Sequence, residues 1–172
     1  MIWKKGGFIL RPALWEDAEG YYAHNFSPLN PEVAWLTGSK TDFSREEVVN
    51  FFRQCREKRD RFDFLLTDSQ GNIVGESVLN EIDWQLRSAN FRIALFHPEL
   101  FGKGLGSWMT ERTLAFAFEE AKLHRVCLSV FSFNPRAIRC YEKAGFRLEG
   151  MEDKDELPMA ISLSEWKKAQ SL

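Results

Sequence analysis

Three short stretches rich in aromatic and branched residues occupy the middle of the sequence, and they constrain the fold more than any other feature. They run from Phe62 to Leu66, from Ile73 to Leu79 and from Asn90 to Phe96. The first two are separated by Asp68–Asn72, a run of residues typical of turns, and the last two by a short polar segment. Strands with connections this short pair antiparallel, so the sequence predicts a three-stranded meander.

Before the meander, the sequence predicts one strand and two helices. The strand covers Phe8–Arg11, and the first helix begins at Trp15–Asp17. Ser44 and Glu47 have the spacing of a capping box, which marks the start of the second helix. The stretch Ser27–Thr41 contains two prolines and a glycine without a clear period, so we predict an irregular loop there.

Apolar positions of the second helix share one face, and its basic side chains point away from that face. The apolar positions are Val48, Phe51, Phe52 and Cys55.

After the meander, helices and strands alternate. The pattern predicts a helix from about Leu105 to Lys122, a strand at Arg125–Phe131, a helix over Asn134–Ala144 and a last strand near Met159–Leu163. A meander followed by this alternation implies a mixed α/β fold with helices on both faces of the sheet. The length of the chain favours a single domain covering residues 1–172.

Composition excludes several classes of protein. With 44% hydrophobic and 14% aromatic residues, the chain carries enough apolar side chains for a core without a metal or disulfide. Its net charge of -2 lacks the basic excess that nucleic-acid binding needs, and no apolar run reaches the roughly 18 residues of a membrane span. The three cysteines have no CxxC spacing, so we expect no metal site and a cytoplasmic location.

A glycine cluster, Phe101–Ser107 with the sequence FGKGLGS, separates the meander from the long helix. Its spacing matches neither a Walker loop nor a dinucleotide-binding fingerprint. Closely spaced glycines let backbone N–H groups approach a phosphate, and the N-terminus of the following helix favours an anion. From these residues alone, a pyrophosphate loop and a tight strand-to-helix turn both remain open.

A second segment, Asn134–Phe146, has the sequence NPRAIRCYEKAGF. By itself it predicts an N-capped amphipathic helix that ends at Gly145. Together, the two segments resemble the signatures of the GNAT acetyltransferase superfamily: FGKGLG its acetyl-CoA loop and NPRAIRCYEKAGF its second motif. The opening segment FILRPALWEDAEGY is similar to the family's first strand and helix, so the resemblance covers nearly the whole chain. The subgroup that the chain resembles contains bacterial ribosomal-protein and spermidine N-acetyltransferases.

The resemblance implies a mixed, mostly antiparallel sheet that is splayed between its fourth and fifth strands, here Asn90–Phe96 and Arg125–Phe131. The pantetheine arm of acetyl-CoA would lie in the gap. The implied cofactor-binding groups are the backbone of Ile93, Ala94, Leu95 and Phe96, the amides of Gly102, Lys103, Gly104, Leu105, Gly106 and Ser107, and the side chains of Asn134 and Tyr141.

The activity implied by the resemblance is transfer of an acetyl group to a primary amine by direct attack in a ternary complex. The acceptor would be a polyamine-like small amine or a protein N-terminus, and the expected assembly is a homodimer. Tyr141 would lie beside the thioester sulfur as the acid. For the base, the meander offers Glu76, Glu81 and Asp83, of which we choose Glu81; a solvated hairpin charge is its simpler interpretation.

Two positions depart from the family pattern. Phe101 stands where Arg or Gln commonly begins the loop, which implies weaker anchoring of the cofactor, and Ser129 stands where some members carry a glutamate. Both departures favour the alternative function, a catalytically silent acyl-CoA-binding module with a structural or sensing role. The presence of Tyr141 favours the enzyme.

Overall fold

A computed structural model describes residues 1–172 and contains eight strands and six α-helices. The strands are β1 (Trp3–Lys5), β2 (Phe8–Pro12), β3 (Phe62–Thr67), β4 (Ile73–Asp83), β5 (Ser88–Leu95), β6 (Arg125–Phe131), β7 (Arg147–Leu148) and β8 (Glu156–Ser162). The helices are α1 (Ala18–Asn25), α2 (Pro31–Thr37), α3 (Arg45–Arg56), α4 (Leu105–Ala115), α5 (Pro135–Ala144) and α6 (Leu163–Gln170). One π-helical segment, Phe116–Glu120, continues α4.

All strands belong to one sheet, in the order β1-β2-β3-β4-β5-β6-β8-β7. Every neighbouring pair is antiparallel except β5 and β6, which are parallel and pair only where Ser88–Asn90 faces Arg125–Cys127. Beyond Asn90 the two strands diverge, which opens a gap in the middle of the sheet. The predicted meander, the mixed sheet and the splay between these two strands are therefore confirmed.

Helices cover both faces of the sheet, because successive residues of a strand point to opposite sides. On β3, Leu65 packs into a cluster with residues of α1, α2 and α3. Its neighbours Phe64 and Leu66 pack instead with Leu105 and Met109 of α4. The gap between β5 and β6 is thus enclosed by helices from both faces. None of the helices is both long and apolar enough to cross a membrane.

The irregular loop predicted for Ser27–Thr41 is wrong over its middle, where α2 forms. The Asn30 side chain caps this helix by accepting the N–H groups of Glu32 and Val33, at 2.9 and 3.3 Å. A proline occupies the first helical position, and Gly38 ends the helix at a φ of 69°. The proline and glycine that suggested a loop are therefore the start and stop signals of a short helix.

The other predicted elements are confirmed, with differences at their ends. The helix predicted to reach Lys122 changes to π geometry at Phe116, and the last strand covers Glu156–Ser162. A three-residue strand, β1, precedes the first predicted one and pairs with it. In α3, Phe51 is 57% exposed and Val49 is buried in its place, so the predicted apolar face is wrong at that position.

Candidate active site

A cavity of about 850 Å³ lies where β5 and β6 diverge. Its walls come from β5, β6, the glycine segment and α5, and from α1, α2 and α3 on the opposite side. The structure thus brings together all the predicted cofactor-binding residues except Lys103, whose side chain is exposed outside this cavity. Segments that are far apart in the sequence meet here because the splay exposes the centre of the sheet.

The edge of β5 that faces the gap has no strand partner beyond Asn90. On the other edge, the N–H of Phe96 donates to the carbonyl oxygen of Val74 at 2.9 Å. Because alternate residues direct their backbone groups to opposite edges, Ile93 and Leu95 turn their N–H and C=O groups toward the gap. This free edge suits an extended ligand with amide groups, such as pantetheine, which would pair with it as an added strand does.

The glycine segment opens toward the same cavity. Gly102 and Gly104 have φ values of 74° and 77°, in the left-handed region that favours glycine, and a Cβ on either would meet no atom within 4 Å. Gly104 is the N-cap of α4 and offers no side chain to cap it. The N–H groups of the first turn of α4 therefore remain available, and they form a site suited to a phosphate.

Exchanging Gly104 for valine tests whether this segment is more than a turn. We expect the affinity for CoA to fall about 10-fold or more, because the branched side chain projects toward the space beside the helix N-terminus. Gly71→Val is the matched control: Gly71 has a φ of 82° and equally open surroundings, but it lies in the turn between β3 and β4. Because both variants place a β-branched residue at a positive φ, they should melt at similar temperatures. Equal CoA affinities by calorimetry would show that the segment is only a turn.

Tyr141 lies on the inner side of α5 and is 7% exposed. The rings of Phe91 and Phe146 flank it, with centroids 6.1 and 5.8 Å away. This burial raises the pKa of the phenol well above its ordinary value, so Tyr141 stays neutral and its hydroxyl can donate a hydrogen bond. Asn134, at the start of the same helix, accepts the N–H of Ala137 at 3.2 Å, which leaves its amide nitrogen to donate to a ligand.

A carboxylate, Glu76, lines the cavity from β4. The hydroxyl of Tyr21 in α1 donates to Glu76 Oε2 at 2.8 Å, and Arg92 Nη2 lies 3.7 Å from Oε1. Burial raises the pKa of Glu76, and the opposing effects of Arg92 and the Tyr21 hydrogen bond do not cancel it. The cavity wall therefore carries both a carboxyl group, that of Glu76, and a phenol, that of Tyr141. Sequence reasoning did not identify Tyr21 or Arg92.

Glu81, the base chosen from the sequence, does not lie in the cavity. It is exposed, with a φ of 51°, at an irregularity in β4 between the pairs Asn80–Asn90 and Asp83–Ser88. At this level β5 and β6 are joined, so the sheet is closed there. Glu76 is opposite Ala94, where the sheet is open, which explains why it reaches the cavity. Asp83 is also exposed and outside.

No group of three or more His, Cys, Asp or Glu side chains is arranged to hold a metal ion.

Comparison with protein families identifies a domain that covers most of the chain. The model of the acetyltransferase (GNAT) domain matches residues 8–147. Among curated proteins, spermidine N(1)-acetyltransferase of Vibrio cholerae is 39% identical over 87 residues, which are 51% of this chain and 50% of that protein. The Escherichia coli K12 enzyme of the same name is 33% identical over 85 residues, 49% of this chain and 45% of its own length. The matched part is thus about half the length of these curated relatives.

Solved structures resemble nearly the whole chain. The structure of spermidine N-acetyltransferase from Vibrio cholerae in complex with CoA and spermine superposes with a TM-score of 0.80 at 26% identity. The superposition covers 95% of this chain and 99% of that one. A dodecameric structure of the Vibrio cholerae enzyme in an intermediate state gives a TM-score of 0.74 at 26% identity, covering 94% and 97% of the two chains.

Proposed function

Because the chain belongs to the GNAT acetyltransferase family, we propose that it transfers the acetyl group of acetyl-CoA to a primary amine. The observation that carries this proposal is one cavity that joins a free strand edge, a glycine segment at a helix N-terminus, a buried tyrosine and a partly buried carboxylate. The first two features fit the pantetheine and pyrophosphate of CoA. The last two fit the proton transfers that acetylation of an amine requires.

In this proposal, the chain holds acetyl-CoA along β5. The backbone of Ile93 and Leu95 pairs with the pantetheine amides, and the amides from Gly102 to Ser107 bind the pyrophosphate. Asn134 and Tyr141 lie further along the cavity wall, on α5, toward the thioester. Bound acetyl-CoA supplies an activated acetyl group.

Catalysis then requires positioning and two proton transfers, because an amine attacks a thioester directly without a covalent enzyme intermediate. Glu76 binds the acceptor ammonium and takes a proton from it, replacing Glu81 as the proposed base. Tyr141 donates a proton to the departing thiolate. Acid–base assistance of this kind contributes about 10²–10⁴-fold, and holding the reactants together contributes about 7–11 kcal/mol in well-oriented systems.

The acceptor that we propose is a polyamine-like small amine. Three carboxylates line the cavity: Glu76 is partly buried, whereas Glu47 and Glu156 are exposed. An amine with several positive charges would contact more than one of them. The relatives named above as spermidine acetyltransferases favour the same acceptor. A protein N-terminus remains the second candidate.

Acetyl-CoA should raise the melting temperature, because a ligand that binds only the folded state stabilises it by mass action, about 2.7 kcal/mol at 100 times Kd. Release of free CoA thiol should follow when spermidine, a simple monoamine or a peptide with a free N-terminus is added. Stabilisation without thiol release on any acceptor would favour the silent acyl-CoA-binding module. No stabilisation at millimolar acetyl-CoA would exclude both functions.

The homodimer expected from the resemblance stays a prediction. The dodecameric relative favours self-association of this chain as well, and light scattering would give its assembly.

A further inference from the structure

An arginine from α5 faces the glycine segment across the cavity wall. The guanidinium carbon of Arg136 lies 3.8 Å from the centroid of the Phe101 ring. Arg136 is the second residue of α5, and Phe101 is the residue immediately before Gly102. Arg136, Phe101, Gly102 and Gly104 all line the same cavity. The contact therefore places a cation beside the proposed phosphate site.

The charge of Arg136 is not neutralised by a carboxylate. The ion pairs of the structure engage other cations, among them Arg92 with Glu76, and none includes Arg136. Within Phe101–Ser107 the one charged side chain, Lys103, is exposed and does not line the cavity. Arg139 and Lys143 of the same helix also line the cavity without an ion pair, but the cation–π contact brings only Arg136 against Phe101.

The geometry of the contact leaves the hydrogen-bonding groups of the guanidinium free. A cation–π contact uses the flat face of the group, whereas its five N–H donors point outward in the plane. An arginine stacked on a ring therefore keeps the planar edge that binds two phosphate oxygens at once. The Phe101 ring also restricts the long side chain, so less conformational freedom is lost when a phosphate binds.

We propose that Arg136 binds the pyrophosphate of CoA and that Phe101 is the platform that holds the guanidinium above the glycine segment. This inference rests on the proposed function. It assigns a role to Phe101, a residue that by itself offers a phosphate no charge and no hydrogen bond. The two residues act as a pair, one as the ligand-binding group and the other as its positioning residue.

Calorimetry with two ligands tests the assignment. Arg136→Ala should weaken CoA binding by about 10-fold, the loss expected for one charge-assisted contact at a partly exposed site. It should weaken 3′-dephospho-CoA, which keeps the pyrophosphate, by the same factor. Arg59→Ala removes the same charge from an exposed residue outside the cavity and should leave both affinities unchanged. A loss seen with CoA but not with dephospho-CoA would assign Arg136 to the 3′-phosphate and overturn the proposal.

A double-mutant cycle tests the platform. In a Phe101→Leu background, Arg136→Ala should cost only about 3-fold or less, because the guanidinium is no longer held in place. The full 10-fold cost in that background would show that Phe101 does not position Arg136. Melting curves without ligand separate these effects from loss of folding. If the parent protein binds neither ligand, the proposed function fails; if it binds both and Arg136→Ala changes neither, this inference alone fails.

Discussion

Replacing Tyr141 by phenylalanine should lower kcat by roughly 10- to 10³-fold and leave the KM for acetyl-CoA within a few-fold. The phenol keeps its proton because burial raises its pKa well above the ordinary value. A neutral phenol interacts weakly with the thioester sulfur of the ground state but strongly with the thiolate that leaves. The lost interaction therefore belongs to the transition state, and the loss falls on kcat.

The same substitution should leave the fold nearly unchanged. Phenylalanine keeps the ring that packs between Phe91 and Phe146, so a melting curve should match that of the parent protein. Tyr22→Phe is the control, because that tyrosine is half-buried on α1 and does not line the cavity between β5 and β6. If Tyr141 only fills space, both variants turn over normally. A kcat within twofold of the parent would rule out the acid assignment.

The fold could be predicted from the sequence where local signals agree with the global structure. The meander, the strand Arg125–Phe131 and the capped helices carry their own periodicity and caps, so their positions need no knowledge of distant contacts. The helix α2 was missed because its signals are few: seven residues allow less than two full apolar turns. Its proline and glycine are used equally by loops and by helix ends.

The cofactor side of the site could be predicted for the same reason. The glycine segment and α5 are each continuous in the sequence, so motif and geometry coincide. The acceptor side is different, because Tyr21 and Glu76 meet across 55 positions. One contact on the cofactor side, Arg136 with Phe101, also arises only through the packing of α5. No local pattern encodes such contacts.

The choice between Glu76 and Glu81 depended on the level along β4 at which the sheet opens. Counting back from the turn before Ser88 places Glu76 opposite Ala94 and Glu81 beyond Asn90. The sequence does not show that β5 and β6 stop pairing at Asn90, because that depends on how the helices insert. The extent of the splay therefore decides which carboxylate reaches the acceptor.

Replacing Glu76 by glutamine should lower kcat/KM for the amine by about 10²–10³-fold. Glutamine has the same shape, and its oxygen can still accept the Tyr21 hydroxyl, so the cavity wall is preserved. What is lost is the negative charge that binds the ammonium and accepts its proton. Glu81→Gln makes the same exchange in the same strand, but at an exposed position outside the cavity. We expect it to retain parent activity; the opposite ranking of the two variants would return the base to Glu81.

The pH dependence gives the sharper test of Glu76. A base must be deprotonated, so activity rises as the pH increases through its pKa. Burial raises the pKa of Glu76, which places this rise above the usual glutamate range of about 4.3. Glu76→Gln should remove that acidic limb and leave the rise due to the amine itself, near its own pKa. If Glu76 only anchors the ammonium, the variant raises KM with kcat unchanged, since uniform binding alone is lost. The limb is measured in kcat at saturating amine, because a carboxylate that only anchors the ammonium also loses its charge at low pH and gives an acidic limb in kcat/KM alone. A lowered kcat together with a limb that vanishes from kcat requires a proton acceptor at this position.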